Sequence, residues 1–118
     1  MSEKIYELKV GSGFQNVRVS KVDDNNNEYI ETRKEKIFGY EQNIARIAKA
    51  HLDEGGIVQL TAINYESRGT TLGVLAKLEE MVAKENKRIL SNVTTKVVEN
   101  RSRKRKTATV YITTVSYQ

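Results

Sequence analysis

The stretch "GYEQNIARIAKAHLDEGGIVQLTAI", residues 39–63, decides the fold class, because a helix pattern in it runs directly into a strand pattern. Gly55 and Gly56 end the helix pattern, as glycine commonly does at a helix terminus. The following "GIVQLTAI" is short, apolar and β-branched, which predicts a buried strand. Apolar residues recur before the glycines at the spacing of a helix face: Ile44, Ile47, Ala48 and Leu52.

The segments on either side extend this unit to a β-α-β-α-β-β order. Upstream, "YIETRKEKIF" (29–38) predicts a strand with a basic end. Downstream, "NYESRG" is predicted to be a connection, and Thr70 or Thr71 to cap a second helix that reaches about Asn86. "NVTTKVV" and "TATVYITTV" predict a final β-hairpin. The inner stripe of the second helix is predicted to be Leu72, Leu75, Leu78 and Val82.

Residues 1–28 are predicted to be an N-terminal extension to a domain of residues 29–118. "IYELKV" and "NVRVSKV" both alternate between apolar and polar residues, and Gly11 and Gly13 between them allow a turn. The extension therefore allows a short hairpin or an added edge strand. "DDNNN" (23–27) is predicted to be a loop.

Composition narrows the classes of protein to which the chain can belong. Its 118 residues suit one domain, with 38% hydrophobic and 30% charged residues. It has no cysteine, which excludes disulfides, thiolate metal sites and cysteine nucleophiles, and fits a reducing compartment. No apolar run is long enough for a membrane span, and the N-terminus lacks the apolar core of a signal peptide. We expect no cofactor and no metal.

The net charge of +5 is concentrated in one short segment, residues 101–106. Removing its five basic residues from the 20 Lys and Arg leaves a number equal to the 15 Asp and Glu. A local excess of this kind favours a polyanionic partner. A solvated loop or a nuclear import signal would have the same composition.

The position of this segment, in the loop of the final hairpin, favours nucleic acid as the partner. A two-stranded ribbon can enter a nucleic-acid groove while its basic side chains neutralise phosphates. Asn100 and Ser102 can add contacts to phosphate or sugar. We expect little sequence specificity. The predicted basic contacts are Arg101, Arg103, Lys104, Arg105 and Lys106.

A second basic cluster is predicted where the strand of residues 29–38 meets the first helix. The alternative is that Lys34 and Lys36 pair with Glu31 and Glu35 on the surface. Tyr40 either stacks on a base or, as we favour, fills the core. The predicted members of the cluster are Arg33, Lys34, Lys36, Tyr40 and, from the connection before the second helix, Arg68.

Over residues 28–116 the chain resembles the Alba family of small basic nucleic-acid-binding proteins. The resemblance rests on residues 28–63, on "LGVLAKLEEMV", and on the basic hairpin "VVENRSRKRKTATVYITT". Lys34 matches one member of the family's basic pair, with Lys36 or Arg33 next to it. Gly39-Tyr40 takes the place of the family's Asn-Tyr-like step, and "NYESRGTT" is longer than the family's turn before the second helix.

The resemblance implies an α+β sandwich, similar to the C-terminal domain of translation initiation factor three. Two helices would lie on one face of a four-stranded mixed sheet, and a basic hairpin would protrude from it. It also implies a homodimer, or a heterodimer with another Alba-like chain, that binds RNA or DNA in the cytoplasm or nucleus. Family roles include messenger ribonucleoprotein particles, translation regulation and chromatin.

Three other functions compete with non-catalytic RNA and DNA binding. The first is a structural subunit of a ribonucleoprotein like RNase P or MRP. A nuclease is less favoured, because Asp23-Asp24, Asp53-Glu54 and the single His51 make a poor metal or histidine site. Membrane binding is not expected, because the sequence has no amphipathic basic helix and no lipidation signal.

Overall fold

The computed structural model describes residues 4–99 and 107–118. Within them the chain forms strands and helices in the order β1 (Ile5–Val10), β2 (Phe14–Val22), β3 (Glu28–Lys36), α1 (Tyr40–Asp53), β4 (Ile57–Ile63), α2 (Tyr65–Ala83), β5 (Ile89–Glu99) and β6 (Thr107–Tyr117). Residues 100–106, on which several of the predicted contacts fall, lie outside the described residues.

Four strands form a mixed sheet in the order β1-β4-β6-β5, and β2 and β3 form a separate two-stranded sheet. β1 runs parallel to β4, from Ile5↔Ile57 to Val10↔Ala62, while β6 runs antiparallel to both β4 and β5. α1 and α2 pack against each other and against β4 and β1. The predicted fold class, two helices with a four-stranded mixed sheet, is confirmed.

The core lies between the helices and one face of the sheet. Alternate residues of β4, Val58 and Leu60, are fully buried there. The predicted helix stripes are only partly correct, because Ile47 and Leu72 are exposed while Ala45 is buried. The stripe of α2 instead begins with small polar residues, and it consists of Ser67, Thr71, Val74, Leu78 and Val82.

The prediction that residues 29–38 form the first strand of the main sheet is wrong. That position belongs to β1, whose Tyr6, Leu8 and Val10 alternate towards the core. β3 is a strand, but its residues are almost all exposed, so it has no apolar face to bury. β1 pairs with β4 and β2 with β3, so the extension adds an edge strand and does not fold into a hairpin of its own. The expected division after residue 28 falls within β3, directly after its first residue, Glu28, which pairs with Val22 of β2.

α2 begins at Tyr65, earlier than predicted, because Asn64 caps it. The Asn64 side-chain oxygen accepts a hydrogen bond from the backbone N–H of Ser67, at 2.8 Å. This satisfies one of the donors that a helix leaves free in its first turn. Thr70 and Thr71 lie within the helix, where their hydroxyls bond to backbone carbonyls one turn back. The segment "NYESRG", predicted to be a connection, is therefore mostly helical.

We expect Asn64→Ala to lower the free energy of unfolding by about 1–2 kcal/mol, since it removes the cap. Asn64 also has a φ of 126°, a backbone region that glycine adopts more easily than alanine. Asn64→Gly should therefore cost less than Asn64→Ala, although both lose the side-chain hydrogen bond. Urea unfolding of both variants and the wild type measures the difference. A larger loss in the glycine variant would contradict this account.

Candidate nucleic-acid interface

The strands that precede the two predicted basic segments, β1 before β2 and β3 and β5 before residues 101–106, end at the same end of the main sheet. The parallel strands β1 and β4 finish there at Val10 and Ile63, and Ile63 pairs with Val110 of β6. β5 runs antiparallel to β6, so it also finishes at this end, at Glu99. We call this end of the sheet the basic end.

The β5–β6 hairpin extends past the last pairing of β4. Beyond Ile63↔Val110, β5 and β6 still pair as Val97↔Thr109, Val98↔Ala108 and Glu99↔Thr107. At roughly 3.4 Å per residue, this continuation adds about 10 Å to the hairpin. The two strands of the predicted hairpin are thus confirmed. The predicted contacts in its loop lie outside the described residues: Asn100, Arg101, Ser102, Arg103, Lys104, Arg105 and Lys106.

β2 and β3 form a second arm, which we call the ribbon. The two strands pair from Phe14↔Lys36 to Val22↔Glu28 and, among the described residues, contact mainly each other. The molecule is 67 Å long, with a radius of gyration of 18.5 Å. A compact domain of this length would have a radius of about 13–14 Å. The ribbon follows β1, so it too leaves from the basic end.

Hydrogen bonds fix the base of the ribbon to the domain. The Thr70 hydroxyl of α2 donates to the carbonyl of Ser12, at 2.7 Å. The backbone N–H of Gly11 donates to the hydroxyl of Tyr40, also at 2.7 Å. The Tyr40 side chain is half-buried and packs against the core. These contacts support the core interpretation of Tyr40 over a stacking role.

The three basic residues predicted on β3 do not share one face. Side chains alternate along a strand, so Arg33 lies on one face of the ribbon, and Lys34 and Lys36 on the other. Arg33 Nε lies 3.6 Å from Glu35 Oε1, and Lys34 Nζ lies 3.5 Å from Glu66 Oε1 of α2. The surface pairing considered for Lys34 is therefore present, with a different partner.

Arg68 lies in the first turns of α2 at the basic end, and its guanidinium carbon is 4.7 Å from the centre of the Tyr111 ring. Tyr65 is largely exposed beside it, with its ring centre 6.0 Å from that of Tyr111. Arg68 therefore contacts β6 at the basic end, and its membership of the predicted cluster with Arg33, Lys34 and Lys36 stays a prediction. The attraction to the ring holds the guanidinium of Arg68 in place, and the edge of the guanidinium stays open to a ligand.

Several exposed residues near the arms were not predicted as site residues. Phe38 is fully exposed directly before α1, and Phe14 and Arg18 lie on the ribbon. The alternation in "FQNVRVSKV" identified a strand, but not the strand with which it pairs. Without that pairing, the sequence could not show that Arg18 lies on the same face as Lys34.

The acidic residues at the opposite end form an ion-pair cluster. Lys49 Nζ lies 2.8 Å from Asp53 Oδ2 and 2.6 Å from Glu85 Oε2, and the Tyr117 hydroxyl donates to Asp53. The hydrogen bonds from Lys49 and Tyr117 lower the pKa of Asp53, and those to Asp53 and Glu85 raise the pKa of Lys49. Burial, together with the bond to Asp53, raises the pKa of Tyr117 to about 12. The cluster joins the ends of α1, α2 and β6.

His51 and Asp23, which were also considered for catalysis, have structural partners. His51 stacks on Tyr6, with ring centres 3.9 Å apart. Asp23 Oδ1 accepts hydrogen bonds from the backbone of Asn25 and Asn27 at the tip of the ribbon. In residues 4–99 and 107–118, no group of three or more His, Asp and Glu is placed to hold a metal ion.

No family model and no curated protein matches this chain. The resemblance to the Alba family thus remains a prediction from the residues quoted above. Within the described part of the chain, no helix is both long and apolar enough to cross a membrane.

Proposed function

We propose that the protein is a non-catalytic RNA- and DNA-binding protein that contacts the phosphate backbone through the β5–β6 hairpin and the basic residues at its base. The observation that carries the proposal is the position of residues 101–106. Their charge equals the whole net charge of the protein, and they join two strands that extend past the rest of the sheet.

The mechanism is electrostatic. Each phosphate that a basic side chain neutralises releases condensed counterions, which favours binding without regard to sequence. The proposal therefore includes weak sequence specificity. By resemblance to the Alba family, we assign the protein to messenger ribonucleoprotein particles and translation regulation, or to chromatin, in the cytoplasm or nucleus.

We expect affinity to fall steeply with salt. If each chain neutralises about five to seven phosphates, log K against log salt should slope by roughly −0.9 per contact on duplex DNA, and by about −0.7 on single strands. Fluorescence anisotropy measures both slopes, with one labelled duplex and one labelled single strand, over roughly 50–200 mM salt. A second duplex of unrelated sequence is the control and should give the same affinity. An affinity that does not change with salt would contradict the proposal.

A second candidate function is a structural subunit of a ribonucleoprotein like RNase P or MRP, and an exposed apolar groove favours it. Leu72 and Leu75 lie on the face of α2 that also carries Arg68, which contacts β6. Across the groove, Val93 and Val97 of β5 are exposed on the helix side of the sheet. The helices pack mainly on β1 and β4, which leaves this part of the sheet open.

An apolar groove next to an edge strand suits a second chain, so we propose a homodimer or a heterodimer with another Alba-like chain. Purification from cells separates the two functions. A single stoichiometric partner chain with one defined RNA would favour the subunit, whereas a homodimer with mixed RNAs would favour the general binding protein.

A further inference from the structure

The two faces of the ribbon differ in charge. Because the register pairs even-numbered with even-numbered residues, as in Asn16↔Lys34, these residues share one face. We call it the inner face, and its relevant residues are Phe14, Asn16, Arg18, Lys34 and Lys36. The outer face carries the odd-numbered residues, of which the relevant ones are Lys21, Tyr29, Glu31, Arg33 and Glu35.

The outer face is electrically balanced. Lys21 Nζ lies 2.5 Å from Glu31 Oε2, and Arg33 pairs with Glu35. The contact with Lys21 also lowers the pKa of Glu31, which keeps this carboxylate charged. Each basic side chain of the outer face thus has an acidic neighbour on the same face, and little field remains to attract an anion.

The inner face has an excess of positive charge in the half of the ribbon next to the domain. Arg18 and Lys36 form no ion pair within the described residues, and Lys34 contacts Glu66. Acidic residues of the inner face are confined to the far end, at Glu28, next to the turn that contains Asp23. At the base, Lys36 shares a cavity with Glu41 and Glu66, and Glu66 is paired with Lys34. Arg18 and Lys36 are therefore the residues of this face that attract a polyanion, whereas the acidic tip repels it.

The inner face is turned towards α2 at the basic end of the sheet. Lys34 reaches Glu66 in the first turn of α2, and Phe14 and Lys36 line a cavity together with Glu66 and Thr70. The ribbon follows the edge strand β1, and the basic hairpin begins on β6, two positions across the sheet. With strands about 4.8 Å apart, the two arms begin roughly 10 Å from each other.

We propose that the inner face of the ribbon is a second binding surface, specific for single-stranded nucleic acid. Arg18 and Lys36 contact its phosphates, and Phe14 stacks on a base. Phe14 is 43% exposed and lies opposite Lys36 in the register. A basic groove with an exposed aromatic ring is the arrangement that binds single strands, whose bases are free to stack. This inference rests on the proposed function, and it adds a second site and a preferred strand state.

The test compares charge removal from the two faces. Arg18→Gln with Lys36→Gln should weaken binding of labelled oligo(dT) and oligo(rU) by about tenfold and reduce the salt slope by roughly 1.4, the value for two single-strand contacts. Lys34 is left unchanged because it is already paired with Glu66 of α2. The matched outer-face control, Lys21→Gln combined with Lys84→Gln at the end of α2, removes the same charge away from the inner face and should change affinity less than twofold.

Stacking is tested by a second matched pair. Phe14→Ala should weaken single-strand binding by about tenfold, in the range measured for loss of one stacked base, and leave duplex binding unchanged. Tyr29→Ala, an aromatic residue of the outer face that is 46% exposed, should have no effect on either. Thermal unfolding of all variants checks that the ribbon remains folded.

The outcomes separate this inference from the proposed function. If the wild type binds no nucleic acid, the proposed function itself fails. If the wild type binds but the inner-face and outer-face variants lose affinity equally, binding follows net charge and the inference is wrong. It is also wrong if the inner-face variants bind single strands like the wild type, or if Phe14→Ala weakens duplex and single strand alike.

Discussion

The variant in which all five basic residues of 101–106 are replaced by glutamine should lose at least about 100-fold in affinity for duplex DNA at 0.1 M salt. Five phosphate contacts account for about −4.5 of the slope of log K against log salt, so their loss should leave a slope no steeper than about −1.8, the value for the two contacts that remain at most. The loss should be the same on unrelated sequences, because phosphates carry no sequence information. Anisotropy titrations at several salt concentrations measure both effects.

A charge-matched control distinguishes a positioned arm from a general effect of net charge. The control removes five basic residues from exposed positions outside the arms, and its net charge equals that of the hairpin variant. It should keep most of the wild-type affinity, because these residues are spread over other surfaces. Equal losses of affinity in the two variants would mean that binding depends on the net charge and not on the position of the basic residues. The control positions are Lys4, Lys9, Arg46, Lys77 and Lys84.

The parts of the fold that were predicted correctly have a one-sided apolar pattern. The helix before Gly55, the strand "GIVQLTAI" and the last strand, β6, each bury a distinct set of side chains, and burial produces periodicity in the sequence. The same principle explains the failure at α2. Its buried face begins with Ser67 and Thr71, small polar residues that a search for apolar periodicity does not select.

The sequence-based prediction put β3, instead of β1, in the main sheet as its first strand, and this error has a different cause. β1 alternates between apolar and polar residues, whereas most residues of β3 are charged and both of its faces are open to solvent. Strand propensity alone cannot distinguish a strand of a core sheet from a strand of a free ribbon. Only the pairing does so, and β1 pairs with β4 across more than forty residues of intervening chain.

The sequence identifies the segments that carry the candidate site, but not the surface of the molecule on which each basic residue lies. The basic residues of β3 were found, yet their division between two faces depends on the register with β2. The contact of Lys34 with Glu66 depends on how the ribbon meets α2, which no local pattern records. The sequence therefore predicts the charge of the arms, and the topology determines what that charge faces.

Leu60→Ala should have the largest effect on stability, with a loss of about 2–5 kcal/mol in the free energy of unfolding. Leu60 has no exposed surface and lies in the second position of the sheet, between Leu8 of β1 and Thr113 of β6. Its truncation leaves a cavity under both helices, which the closely packed core can fill only in part. Natural domains are stable by about 5–15 kcal/mol, so this loss is a large fraction of the total. Urea unfolding measures it.

The control is Ile63→Ala, which removes the same number of carbon atoms from the opposite face of the same strand. Ile63 is 51% exposed, so its truncation should cost less than about 1.5 kcal/mol. Equal losses at the two positions would mean that the open face of the sheet is covered in solution. β1 leads into the ribbon, and β6 is one strand of the basic hairpin. Leu60 of β4 therefore lies between the strands that support the two arms. At temperatures where Leu60→Ala is still folded, its affinity for nucleic acid should equal that of the wild type, because it removes no contact from either arm.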